Sequence, residues 1–78
     1  MIEETIGYVH GYVHGYVQAE RAGAMQEAAR YAAEAARYAA DVAGLLTATG
    51  ESNRATLYTA ASERYAAESA RFTASRRA

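Results

Sequence analysis

The chain has 78 residues and a formal charge of −1, is 51% hydrophobic, and contains neither cysteine, proline nor tryptophan. That length supports one small domain at most, and such domains are marginal unless stapled or associated. The missing cysteine excludes disulfide staples, thiolate zinc sites and dithiol redox chemistry, and the near-neutral charge gives no footprint for nucleic acid.

Residues 1–25 are dominated by three back-to-back tetrads, Gly7-Tyr8-Val9-His10, Gly11-Tyr12-Val13-His14 and Gly15-Tyr16-Val17-Gln18. Acidic Glu3 and Glu4 precede them, so no charged leader of secretory type opens the chain. The uncharged run at 5–19 is broken by histidines and is too short and polar to cross a membrane. The expected location is the cytoplasm or the interior of an assembled particle.

On a helix, a four-residue repeat turns by about 40° per tetrad, so each residue type occupies its own arc. Gly7, Gly11 and Gly15 form one row, continued by Ala19 and Gly23, and close backbone approach is what such a row permits. Tyr8, Tyr12 and Tyr16 form a second arc, Val9, Val13 and Val17 a third. A strand is the competing reading, because tyrosine and valine favour strands and alternation puts all three tyrosines with His10 and His14 on one face. The helix is preferred, since Glu3 and Glu4 suit a helix N-terminus.

From Gln26 the period becomes seven. Tyr31, Tyr38 and Leu45 recur at that spacing, with Ala28, Ala35 and Val42 between them, and alanine, arginine and glutamate are strong helix formers. Residues 26–49 are therefore the first arm of a hairpin. Gly50 is placed to take the left-handed conformation beyond its end, the turn falls at 50–53, and Ser52 or Asn53 can cap the next helix. Residues 54–78 repeat the design, with Tyr58, Tyr65 and Phe72 on the seam beside Ala55, Ser62 and Ser69. Reversal at the turn pairs positions whose numbers sum to about 101, which sets large side chains against alanines.

The expected fold is all-α: an antiparallel two-helix hairpin. Its N-terminal helix runs unbroken from about residue 3 to 48 and overhangs the shorter C-terminal helix. At 1.5 Å per residue that leg is roughly 65–70 Å long against some 37 Å for the other. Residues before about 25 then lack a partner in their own chain, and each large apolar side chain left wet forfeits roughly 1.5–3 kcal/mol. Completion by oligomerisation follows. Gly7, Gly11, Gly15 and Gly23 with the tyrosines and valines of the tetrads are the expected self-association residues.

Candidate chemistry is sparse. His10 and His14 are spaced to grip one transition metal, but no carboxylate on that face completes a set, so they are weak candidates and no metal or cofactor is expected. Glu20, Glu27, Glu34 and Asp41 keep a seven-residue rhythm with arginines and read as a solvated face. No histidine stands near the serines of the second arm to activate them, so no catalytic residue is assigned and no enzyme is expected. Arg71, Arg76 and Arg77 make a basic end that can complement the helix C-terminus.

The functional expectation is a structural protein whose copies build a homo-oligomer, filament or shell, with a virion or other large assembly as a natural setting. The alternative is a helical adaptor that inserts its N-terminal helix into a different protein. The expected partners are copies of the chain itself, or another structural protein. Composition points to neither nucleic acid nor membrane.

Overall fold

The computed structural model describes residues 2–77, with side chains through Ser75. Three helices account for almost all of them: α1 (Ile2–Arg21), α2 (Met25–Ala48) and α3 (Ser52–Arg77). No strand occurs among the described residues, so the tetrads are helical.

The expected unbroken first helix is not observed. It stops at Arg21 and restarts at Met25. The cause is Gly23, whose φ of 78° lies in the left-handed region that side-chain-bearing residues avoid. The Gly23 N–H donates to the Glu20 carbonyl at 3.0 Å and the Ala24 N–H to the Ala19 carbonyl at 2.9 Å. This double closure is a Schellman motif, which ends a helix by satisfying its last carbonyls. The same device closes α2: Gly50 has φ 82°, its N–H donates to Thr47 O at 3.1 Å, and Glu51 N–H donates to Leu46 O at 2.8 Å. The expectation for Gly50 therefore holds. The capping expectation does not, because Ser52 and Asn53 both lie inside the first turn of α3.

With the break at Gly23, α1 folds back along α2, and the overhang disappears. The three helices are of similar length, 20, 24 and 26 residues, and Cα positions span 43 × 19 × 12 Å. Tyr8 meets Tyr38 while Tyr12 reaches back to Tyr31, so α1 and α2 run in opposite directions. Ser62 Oγ donates to Ala36 O and Ser69 Oγ to Ala29 O, both at 2.8 Å, which sets α3 antiparallel to α2. These pairs sum to 98, about one helical turn from the expected register.

The middle helix α2 is lined with alanine where it meets its neighbours. Ala28, Ala32, Ala35 and Ala39 are fully buried, as are Val42 and Leu46. Small residues let helices approach, and the volume is filled from outside: Val9 from α1 packs with Val42 and Leu46, and Phe72 from α3 packs with Ala28 and Ala32. Although their backbones stay apart, α1 and α3 meet across this spine through side chains. Tyr16 lies 6.1 Å from the Tyr65 ring, edge-on, and 5.8 Å from Phe72.

The expected seam residues divide. Tyr65 and Phe72 face the interior, and Tyr58 packs half-buried against the Val9 cluster. Tyr31 and Tyr38 turn instead toward the tyrosines of α1, and Leu45 is 45% exposed. A hairpin of two arms offered those rows only each other. The third helix supplies a second face to cover.

Candidate association surface

The tetrads sort on α1 as their four-residue period requires. The boundary between the tyrosine and valine arcs faces inward, so Val9, Tyr16 and Ala19 are buried and Val13 and Val17 pack half-buried beside them. These residues were expected to seek another subunit, and they cover their own chain. What remains outside is the glycine arc and its aromatic border.

That border is a ladder of four rings. Tyr8 lies 5.3 Å from Tyr38. Tyr12 stacks on Tyr38 at 5.6 Å with planes 6° apart, and sits 6.0 Å from Tyr31. The guanidinium of Arg37 lies 5.2 Å from the centre of the Tyr38 ring, and that of Arg30 lies 5.8 Å from Tyr31. Aromatic stacks and overlying cations each add roughly 0.5–1.5 kcal/mol, which favours this arrangement of the rings. Tyr8 nonetheless stays 56% exposed.

Against this border the glycines differ. A methyl group on Gly15 would sit 3.2 Å from Tyr31 Cδ2, so Gly15 makes room for the ring within the chain. At Gly7 and Gly11 an added carbon meets nothing within 4 Å. Gly7, Gly11, Gly15, Tyr8, Tyr12 and Tyr31 together line an open, mostly apolar groove of about 390 Å³. Exposed backbone at its floor and stacked rings at its wall suit the close approach of another helix.

The other candidates lie elsewhere. His10 and His14 are exposed, and His10 borders a second groove of about 300 Å³ with Leu57, Tyr58 and Ala61. Among the described residues no group of three or more metal-ligating side chains converges, so the pair stands without a third ligand. Arg71 is engaged on the surface: it bridges Glu68 at 2.6 Å and Glu20 at 3.2 Å, and lies 4.6 Å from the Phe72 ring centre. Those hydrogen bonds, Glu68 first and Glu20 second, hold its charge more firmly than usual. The side chains of Arg76 and Arg77 lie outside the described residues.

Five hydroxyls of the second arm serve the backbone. Thr56, Thr59 and Thr73 donate to carbonyls four residues earlier, and Ser62 and Ser69 donate across to α2. No helix among the described residues is long and apolar enough to cross a membrane. The Gly50 stop, the tetrad arcs and the second-arm seam could be foreseen from sequence. The α1–α2 aromatic ladder could not, because it exists only once α1 folds back. Comparison with protein-family models, curated proteins and solved structures finds no match.

Proposed function

We propose that this chain is a structural subunit without catalytic activity, whose copies associate into a homo-oligomer, filament or shell. The observation that carries this reading is the open groove over Gly7 and Gly11, bordered by rings stacked on one another. An ordered apolar surface loses little further entropy when covered, so its burial is converted efficiently into affinity. The uncovered overhang plays no part in this reading, since α1 lies on its own chain.

Sedimentation velocity across a range of concentrations tests it, with Gly11→Leu as the probe. At this exposed helix position an added Cβ meets nothing within 4 Å, and leucine is a better helix former than glycine, so melting should hold or rise by about 1 kcal/mol of stability. Association should weaken at the same time, because the side chain fills the groove floor. A parent chain that stays monomeric at every concentration ends this reading and favours the adaptor.

A further inference from the structure

We infer that α1 is an exchangeable arm, and that its seat on α2 and α3 also accepts the α1 of a second copy. The inference goes beyond the groove reading, because the surfaces that meet are the inner face of α1 and its seat.

The connection between α1 and α2 is three residues long, and within it Gly23, at φ 78°, and Ala24, at φ −88° and ψ 75°, leave the helical region. Its neighbours Ala22 and Ala24 are strong helix formers. Rotating Gly23 and Ala24 into the helical region joins α1 to α2 as one rod of about 70 Å and lifts α1 from its seat. Short connections of this kind favour exchange between copies.

An opened copy is incomplete in two places. Val9, Tyr16 and Ala19 on the arm lose their cover, and so do Ala28, Ala32, Val42 and Phe72 on the seat. The contacts that hold the arm on its seat include the tyrosine ladder, the Tyr16 rings, the packing of Val9 on Val42 and Leu46, and the ion pair from Glu20 to Arg71, all between side chains. None depends on the arm belonging to the same chain. Two opened copies therefore restore these side-chain contacts by trading arms about a two-fold axis, and helical hydrogen bonds replace the Schellman pair at each hinge.

Gly23→Ala tests this directly. Alanine is strained at a φ of 78° but comfortable in a helix, so it penalises only the folded-back form. The left-handed penalty corresponds to about tenfold or more in the opening equilibrium of each chain. Because the chain has no cysteine, Glu20→Cys with Arg71→Cys supplies one reactive pair for a short bis-maleimide. In the Gly23 parent the linkage should close within one chain. In the Gly23→Ala chain it should join two chains, doubling the mass on a denaturing gel. Gly23→Asn, which tolerates the left-handed region, should restore linkage within one chain.

Linkage confined to single chains in the Gly23→Ala protein overturns the inference, as does loss of its helices at every concentration. If the parent associates and Gly23→Ala still links only within chains, groove association stands and exchange falls. If Gly23→Ala trades arms while the parent stays monomeric, exchange stands and the groove reading falls.

Discussion

Tyr16 shows how one tetrad position acquires a role that its two copies lack. Tyr8 and Tyr12 face the flank of α2, whereas the 40° drift of the repeat carries Tyr16 into the interior, where it is 6% exposed. Burial first, then the negative charge of Glu68, pushes its phenol above the ordinary value of 10.0. The folded chain therefore holds the proton more tightly than the unfolded one. Its contribution is fully present below pH 10 and is lost as alkali removes the proton from the unfolded chain and then, higher still, from the folded one. Urea unfolding followed between about pH 9 and pH 11 should show stability falling above 10, and the fall should be shallower in Tyr16→Phe. Equal slopes in the two proteins would contradict this account. The arc assignment of Tyr16 was legible in the sequence. Its inward direction was not, because that depends on where α1 comes to lie.

At the scale of elements, both glycine stops use one hydrogen-bond pattern, yet only one could be recognised in advance. Gly50 ends a strong seven-residue rhythm and precedes Glu51, Ser52 and Asn53, so the stop has contrast on both sides. Gly23 follows a row of glycines at every fourth position and precedes more alanine, which hides it as one more member of the row. Arg21 in the last turn was the available signal, since cations favour helix C-termini. Missing that stop produced the overhang and the single long leg. The pairing of α2 with α3 was closer to the mark, within about one turn, because large-against-small complementarity fixes the faces but not the height. Ser62 and Ser69 fix the height: each hydroxyl is bonded to one carbonyl of α2. Replacing each by alanine should cost about 0.5–1.5 kcal/mol, toward the low end because the carbonyls keep their helical bonds. Thermal denaturation of the double variant measures it, and an unchanged midpoint would show the two bonds to be incidental.

For the molecule as a whole, closing three helices of 20, 24 and 26 residues removes the mismatch that two unequal legs implied. Most of the apolar surface of the tetrads is covered at home, and what is left for another molecule is narrower: the groove over Gly7 and Gly11, with Leu45 and Leu57 exposed at 45% and 69%. The helical class and the inward faces of the second arm followed from periodicity. The number of helices did not, since the backbone angles at residues 23 and 24 decide it.

The alanine spine has a consequence for how this sequence can drift. Ala28, Ala32, Ala35 and Ala39 have no accessible surface, with a neighbouring helix on either flank, so there is no slack for even one more methylene. Overpacking costs about 1–3 kcal/mol per site, a large share of what a domain this small can lose. Ala33 and Ala40, on the same helix, are exposed and free of that constraint. A saturation library sorted by protease resistance should accept little beyond glycine and serine at 28, 32, 35 and 39, but most residues except proline at 33 and 40. Equal tolerance at both sets would show the centre to be loosely filled. A lineage carrying this fold would rewrite its two outer helices first and keep the spine of its middle one nearly still.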